Sequence, residues 1–314
     1  MFIRDGAQQG VPRGNRKKGV FVKNTRRAVL TVVLGLVMAA TLALVGCGSQ
    51  GSSGSSSSAT PSPTASASSD TGTLKTGRFV VGFDQDFPPY GYVGDDGQYT
   101  GLDLDLAAEV ARRNGWEVVY KPINWDAKDL EISSGSIDCI WNGFTIEGRE
   151  DGYTFTDPYM DNSQVIVVKK DSGINSLSDL SGKNVLVQAD SAAYSLFTDD
   201  DGSQKQLAST FKSLQTTPEY NTAFQELEMG TVDAVGIDLP VAKFEIQGKE
   251  DTYTILDEHL DEEHFGVGFQ LGNTELRDKV QQTLIDMTND GTAKSICDKY
   301  ADQGVNYDQW LLGK

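Results

Sequence analysis

Charged and aromatic residues stand together directly behind an apolar run in the stretch VGFDQDFPPYGY, at positions 81–92. The carboxylates of Asp84 and Asp86 can accept hydrogen bonds or pair with a cation, and aromatic rings exclude water and can face a positive charge. Asn142 with Gly143, and Asp238, likewise follow the apolar runs CIW and AVGI. We expect these groups to face a cleft rather than a core.

The elements that position these residues follow from the alternation of apolar, β-branched runs with helical patterns. The runs RFVVGF, WEVVYKPI, SIDCIW, SQVIVVKK, KNVLVQA and TVDAVGI predict strands, whereas GLDLDLAAEVARRNG, DAKDLEISSG and FQELEMG predict helices. This alternation predicts an α/β fold with mostly parallel sheets. Ligands of such sheets lie beyond the carboxyl ends of the strands, where the polar residues named above are found.

One helix and one internal repeat are legible in more detail. Leu102, Leu106 and Val110 recur at helical spacing, and Gly115 follows as a stop signal. The segments LEISSGSIDCIW (130–141) and LEMGTVDAVGI (227–237) share a helix end, a glycine turn and an apolar strand that carries an aspartate. The repeat predicts two related lobes.

The ordered motifs resemble solute-binding protein family 3 of polar-amino-acid ABC transporters, which has the periplasmic-binding-protein type II fold. They are VGFDQDFPPYGYVGDDGQYTGLDLDLAAEVA, DCIWNGFTIEGREDGYTFTDPY and NTELRDKVQQTLIDMTNDGTAKSICDKY, and the resemblance spans residues 75–314. It implies an α/β protein of two lobes with mixed, mostly parallel sheets and two hinge crossovers. Lobe 1 would comprise residues 74–167 plus 263–314, and lobe 2 residues 168–262.

The resemblance implies that lobe 1 binds the backbone of an amino-acid ligand. Arg149 corresponds to the arginine that holds the ligand α-carboxylate, because the planar guanidinium pairs bidentately with a carboxylate. Thr145 would add its hydroxyl and N–H, and the carbonyl of Gly143 would accept from the α-ammonium. The alternatives are a surface arginine paired with Glu147 or Glu150, and a threonine at a strand end or helix cap.

The resemblance also assigns the ligand side chain to four positions. Phe87 and Trp125 correspond to rings that flank it, and Asp84 and Asn142 to polar groups that meet its end. A carboxylate there favours a polar ligand, either basic or with an amide. Trp125 has the alternative of plain core packing, and a buried Asp84 needs a partner because an unpaired buried carboxylate is costly.

Lobe 2 is expected to complete the site with Asp238 and Ser191. Asp238 corresponds to the acid that binds the α-ammonium on closure, its alternative being a turn residue before a proline. Ser191 and the following N–H groups would donate to the ligand carboxylate. Two departures stand out: Asp190 occupies a position that is usually glycine, and TIEGR brings Arg149 one residue closer to Thr145 than is usual.

The first 73 residues differ in composition from the rest. Residues 1–46 are predicted to be a signal peptide, because eight basic side chains precede the apolar run 28–45, although a start near Val20 is an alternative. LVGC resembles a lipobox, so Cys47 is the expected lipidation site; an uncleaved membrane helix is the alternative. Residues 47–73 then comprise the lipidated Cys47 and a disordered Gly/Ser/Pro-rich linker that reaches about 30 Å.

Charge and cysteine content limit the partners. Without residues 1–47 the chain keeps 19 basic and 44 acidic residues, a net charge of −25. Such a surface repels nucleic acid. Cys139 and Cys297 either form a disulfide, which export permits, or are two separately buried thiols.

Other functions lack a matching pattern. The chain has two histidines and no GxSxG, His-Glu-x-x-His or phosphate-loop motif, so we predict no catalytic residue and no cofactor. An exported dehydratase on the same fold remains the alternative, as does a structural or sensory surface lipoprotein. The acidic segment LDEHLDEEHFG (256–266) has no recognisable metal-ligand spacing and predicts a solvated loop rather than a metal site.

Together these observations predict a lipid-anchored, monomeric receptor at the extracytoplasmic face of the cell membrane. It would capture a polar L-amino acid by lobe closure and present it to an ABC permease and its ATPase.

Overall fold

The computed structural model describes Leu74 and residues 77–314; the predicted signal peptide, Cys47 and the linker lie outside the described residues. The strands of this part are β1 (Arg78–Phe83), β2 (Asp86–Phe87), β3 (Gly91–Val93), β4 (Tyr99–Thr100), β5 (Glu117–Pro122), β6 (Cys139–Thr145), β7 (Tyr153–Phe155), β8 (Met160–Lys169), β9 (Asn184–Gln188), β10 (Ser213–Thr217), β11 (Ala234–Asp238), β12 (Tyr253–Ile255) and β13 (Asp261–Gln270). Its α-helices are α1 (Leu102–Asn114), α2 (Lys128–Ser133), α3 (Ala192–Thr198), α4 (Lys205–Ala208), α5 (Tyr220–Met229), α6 (Leu239–Ile246), α7 (Thr274–Asn289) and α8 (Thr292–Lys299). Short 3-10 helices lie at Trp125–Ala127, Leu177–Leu180, Ala301–Gln303 and Tyr307–Gln309.

The main sheet follows the order β10-β9-β11-β8-β13-β6-β1-β5. β1 pairs in parallel with β5 and β6, and β9 pairs in parallel with β10 and β11. β8 and β13 pair antiparallel with each other and with their outer neighbours β11 and β6. The sheets are therefore parallel in the outer part of each lobe and antiparallel at the two strands between the lobes.

The two long strands β8 and β13 are the hinge crossovers. The first half of β8 pairs with the first half of β13, from Met160 opposite Phe265 to Gln164 opposite Asp261. Their second halves diverge, since β8 continues along β11 and β13 continues along β6 and β7. This confirms the predicted two-lobed α/β fold with mixed sheets. The predicted lobe boundaries, at 167/168 and 262/263, fall within these two strands.

Helix α1 has the predicted bounds and the predicted role. Leu102, Leu106 and Val110 are fully buried on one face of the helix. Gly115 ends it in the left-handed conformation, with φ 70°, and its N–H donates to the carbonyl of Arg112. A glycine tolerates this φ without steric cost.

The internal repeat is also present in the structure. Asp138, before β6, accepts a 2.7 Å hydrogen bond from the N–H of Val80 and returns its own N–H to the Val80 carbonyl. Asp233, before β11, makes the same pair of bonds with Asn184. Each aspartate thus ties the start of its strand to the neighbouring parallel strand of its lobe.

The opening stretch forms more structure than the predicted loop. It holds β2 and β3, which pair antiparallel and extend to β4 in a small second sheet. Phe87 lies at a cleft as predicted, but the prediction is wrong for Tyr90, which is buried in the core with its ring edge-on to Phe265 at 5.1 Å. Tyr90 follows Phe87 by only three residues but can point to the core because the chain turns at the two prolines, where the Tyr90 N–H donates to the Phe87 carbonyl at 3.0 Å.

Two expectations about cysteines and membranes can be compared with the described part of the chain. Cys139 and Cys297 are both buried as free thiols, so the structure has the separate-thiol alternative. None of the helices in this part combines the length and apolar character that a membrane crossing requires.

Candidate functional site

A cavity lies between the lobes. Its walls combine an arginine and a carboxylate with aromatic, amide and hydroxyl groups. It is lined by Phe87, Trp125, Asn142, Gly143, Thr145, Arg149, Gln188, Ser191, Ala192 and Asp238. The structure therefore brings together eight of the nine predicted ligand contacts and leaves Asp84 outside the lining.

Strand β6 supplies three adjacent parts of the lobe 1 wall. Asn142, Gly143 and Thr145 lie within the strand rather than after it, because β6 continues to Thr145. Gly143 has φ 56°, and an added Cβ would stand 2.8 Å from the ring of Phe87. Only glycine fits this combination of backbone conformation and close packing.

The guanidinium of Arg149 is held by backbone carbonyls. Nη1 donates to the carbonyl of Thr145 at 3.2 Å and Nη2 to that of Asp190 at 3.3 Å. The Glu147 carboxylate bonds His264 instead, with 2.6 Å between Oε1 and Nδ1. Because its bonding partners are neutral, Arg149 keeps its charge for an anion in the cavity. The alternative of a surface pair with Glu147 or Glu150 is not what the structure has.

Aromatic side chains cover the cavity on the lobe 1 side. Phe87 and Trp125 are both buried and both line it. The Trp125 ring packs edge-on against Phe144 at 5.5 Å. Trp125 therefore packs in the core and also lines the cavity, so both predicted roles apply to it.

Two carboxylates are buried together where lobe 2 meets the hinge. Oδ1 of Asp238 accepts from Asn162 Nδ2 at 2.8 Å and from Gln164 Nε2 at 2.7 Å. Oε1 of Glu263 accepts from the same two amides at 2.6 and 2.8 Å, and from the Thr145 hydroxyl at 2.9 Å. Asn162 and Gln164 thus bridge the two acids.

Burial raises the pKa of both acids. The pKa of Asp238 lies well above its ordinary value because of desolvation and the nearby charge of Glu263. Desolvation also raises the pKa of Glu263, against the hydrogen bonds from Gln164, Asn162 and Thr145. A cation placed beside the pair would offset this cost, since a nearby opposite charge favours the ionised carboxylates.

Sequence reasoning missed Glu263, Asn162 and Gln164. The predicted solvated loop 256–266 is wrong from Asp261 onward, because β13 begins there and Glu263 is buried. A signal for Glu263 was nevertheless present. In a strand, alternate residues share a face. Glu263 therefore faces the same side as Phe265 and Val267, which are buried.

Asp84 lies behind the cavity wall and has the partner that burial demands. Its Oδ2 accepts from Gln188 Nε2 at 2.5 Å, a contact from lobe 1 to lobe 2. Its Oδ1 accepts from the N–H of Asp86, and its own N–H donates to Asn142 Oδ1 at 2.8 Å. Desolvation raises the pKa of Asp84 to about 6.

Asp190 and Ser191 form the lobe 2 loop between β9 and α3. Ser191 lines the cavity and caps α3, where its hydroxyl accepts from the N–H of Tyr194 at 3.1 Å. The neighbouring Asp190 turns its carboxylate to Lys128 of lobe 1, so its anion does not face the cavity lining.

Comparison with known proteins gives this arrangement a family. The model of the bacterial extracellular solute-binding proteins, family 3, matches residues 79–303. The chain belongs to this family.

Relatives in the family are named for amino acids. The chain is 30% identical over 227 residues to the L-cystine-binding protein TcyJ of Escherichia coli K12, covering 71% of this chain and 82% of that one. A histidine-bound substrate-binding protein of an ABC uptake transporter from Streptococcus pneumoniae has a TM-score of 0.69 at 32% identity, covering 73% of this chain and 94% of that chain. The ancestral amino-acid-binding protein AncCDT-1, described as a precursor of cyclohexadienyl dehydratase, has a TM-score of 0.63 at 31% identity, covering 71% and 95%.

Asp103 bonds the backbone of Gly143, one of the residues that line the cavity. Its fully buried carboxylate accepts from the N–H of Gly143 at 2.6 Å and from the Tyr159 hydroxyl at 2.8 Å. Burial raises the pKa of Asp103 from 3.8 to about 7. The folded protein therefore retains a proton here that the unfolded chain releases near its ordinary pKa.

The Asp103 proton predicts a pH-dependent contribution to stability. This contribution is fully present below about pH 4 and is lost as the pH rises towards 7, because the folded state binds more protons in between. Asp103→Asn keeps an acceptor for Gly143 but removes the titration. The free energy of unfolding of both proteins is measured in urea from pH 4 to 7. We expect the value for the variant to rise relative to that of the wild type as the pH increases. A difference between the two proteins that does not change with pH would contradict a raised pKa of Asp103.

Proposed function

We propose that this protein is the amino-acid receptor of an ABC importer and captures a polar L-amino acid between its lobes. The observation that carries the proposal is the cavity between the lobes, which is lined both by Arg149 of lobe 1 and by Asp238 of lobe 2. A cation and an anion that line one cavity are complementary to the carboxylate and ammonium of one zwitterion. No catalytic residue is part of the proposal.

The two ends of the ligand backbone would have separate partners. The carboxylate would bind Arg149, with the hydroxyls of Thr145 and Ser191 at the same wall. The ammonium would bind Asp238 and the carbonyl of Gly143. Its charge would stabilise the buried Asp238 and Glu263 carboxylates, whose pKa values are raised by burial.

The ligand side chain would lie against Phe87 and Trp125 and reach Asn142 and Gln188. Asp84 is the acid that would select a basic side chain, but its Oδ2 is engaged by Gln188. We therefore favour an amide or another neutral polar side chain over a basic one.

Closure of the lobes would couple ligand binding to the conformation that the permease recognises. Cross-lobe bonds from Gln188 to Asp84, and from the N–H of Asn221 to Asp86 Oδ2 at 2.9 Å, are formed in this closed arrangement. A ligand that contacts both lobes favours the closed form by its differential affinity for that form. The protein would act as a monomer on a lipid anchor at Cys47.

The test of this function is calorimetric titration of the protein without residues 1–47. The protein is unfolded and refolded to remove carried-over ligand and is titrated with each of the twenty amino acids. We expect one tight, polar ligand that is recovered chemically unchanged. Conversion of the ligand would instead support a dehydratase-like enzyme, and silence across the panel would contradict amino-acid binding.

Arg149→Ala should weaken binding of that ligand by at least about a hundredfold, because leaving a buried carboxylate without its partner costs about 3–5 kcal/mol. Arg149→Lys keeps the charge but loses the planar fork and should fall in between. Arg112→Ala is the matched control, since Arg112 is exposed on α1 and pairs with Glu109. Near-normal affinity of Arg149→Ala would overturn the site.

Asp84→Asn tests the ligand class. Because Asp84 bonds Gln188 across the lobes, we expect the variant to lower the affinity for every amino acid that the protein binds by a similar factor. Titration of the variant with lysine, arginine and glutamine measures this. A loss confined to the basic amino acids would show that Asp84 contacts a cationic side chain.

Cys47→Ser tests the anchor. The unchanged chain, expressed in a bacterium that lipidates its own lipoproteins, should incorporate labelled fatty acid and sediment with membranes. The variant should lose the label. Equal labelling of both proteins would rule out Cys47 as the lipidation site.

A further inference from the structure

The loop between β9 and α3 makes an ion pair that the ligand site does not use. Lys128, the first residue of α2 in lobe 1, donates from Nζ to the carboxylate of Asp190 in lobe 2 and to the Asp190 carbonyl at 3.2 Å. Arg149 Nη2 donates to the same carbonyl. Three contacts therefore converge from lobe 1 on one residue of lobe 2.

Asp190 has an unusual backbone for its type. Its φ is +58°, which places it in the left-handed region that non-glycine residues rarely adopt. Aspartate is among the residues that tolerate this conformation, at some cost. A glycine would fit without that cost, so the carboxylate is the feature that Asp190 adds.

Lys128 needs this carboxylate because it is buried. Its side chain is 3% exposed, compared with 48% for Asp190. Its Nζ also lies 5.3 Å from the centre of the Trp125 ring, in the wall of the cavity. Desolvation and the nearby Arg149 both lower the pKa of Lys128, and Asp190 opposes this.

We propose that Lys128 and Asp190 form a latch between the lobes, which stabilises the closed form and slows release of the ligand. The latch rests on the proposed function in that it acts on the same cleft. The pair joins one lobe to the other and is not proposed to contact the ligand. It should therefore change the stability of the closed form by a similar amount for any ligand that fits.

The two partners are not equivalent, because only one of them is deeply buried. Loss of Asp190 leaves the Lys128 ammonium desolvated beside Arg149 in the closed form. Loss of Lys128 leaves a half-exposed carboxylate that water can solvate. Removing one partner of a buried charge pair is more costly than removing both.

The test is a cycle of Asp190→Asn, Lys128→Met and the double variant, in the protein without residues 1–47. Asparagine also tolerates positive φ, and methionine keeps most of the apolar length of lysine. Lys121→Met is the matched control, because Lys121 pairs with Glu131 within lobe 1 at 2.6 Å. Two quantities are measured: the radius of gyration of the ligand-free protein by X-ray scattering, and the dissociation rate of the bound amino acid by stopped flow.

We expect Asp190→Asn to enlarge the ligand-free protein and to raise the dissociation rate about tenfold. Lys128→Met should have a smaller effect, and the double variant should be closer to the wild type than Asp190→Asn is. Lys121→Met should change neither quantity. The latch would be overturned if Asp190→Asn left both the radius of gyration and the dissociation rate unchanged. It would also be overturned if the effects of the two single variants simply added in the double variant.

The scattering measurement keeps the latch separable from the proposed function. If no amino acid binds, the proposed function fails but the ligand-free comparison still decides the latch. Equal radii of gyration for the wild type and Asp190→Asn would then overturn it. If an amino acid binds and the cycle is additive, the receptor function stands and the latch alone is wrong.

Discussion

The buried carboxylates of Asp238 and Glu263 are the constraint on which the rest of the site depends. They lie where the two hinge strands meet lobe 2, and they are held by the same two amides, Asn162 and Gln164. Two acids in a low-dielectric setting resist ionisation, so the hinge carries an electrostatic cost. An ammonium group beside them would offset that cost. It would thereby link the occupant of the cavity to the two hinge strands.

Lobe 1 supplies the opposite charge without neutralising it. Arg149 is held by two backbone carbonyls and the face of Phe144, so its position is defined by neutral contacts. An arginine bound to a carboxylate of the protein would have less to offer an incoming anion. In the proposed function, a zwitterion would bind the Arg149 guanidinium with its carboxylate and the buried acids with its ammonium.

The same physical rule explains the contacts between the lobes. Two of them join a buried charged or polar group to a partner that opening would remove: Asp84 to Gln188, and Lys128 to Asp190. Such contacts stabilise closure when both partners are present and disfavour it when one is missing. On the proposed function, closure would depend on several matched pairs as well as on the ligand.

The sequence by itself determined most of the local elements. Helix α1, with its apolar face and its glycine stop, depends on spacing within fifteen residues. Phe87, Asn142 and Gly143 were predicted at the cleft because they follow apolar runs of the sequence, and they line the cavity. The motifs around Arg149 and Asp238 indicated the two charged walls. These features were predictable because near neighbours in the chain decide them.

Only the tertiary structure decided how distant residues pair. The partner of Asp190 is 62 positions away and that of Asp84 is 104 positions away, and no local pattern relates them. Tyr90 turned to the core, and Glu263 joined Asp238, because hinge pairing and lobe closure brought other elements against them. Strand parity could point Glu263 inward, but which buried group it would meet depended on the packing of two lobes, and sequence periodicity carries no such information.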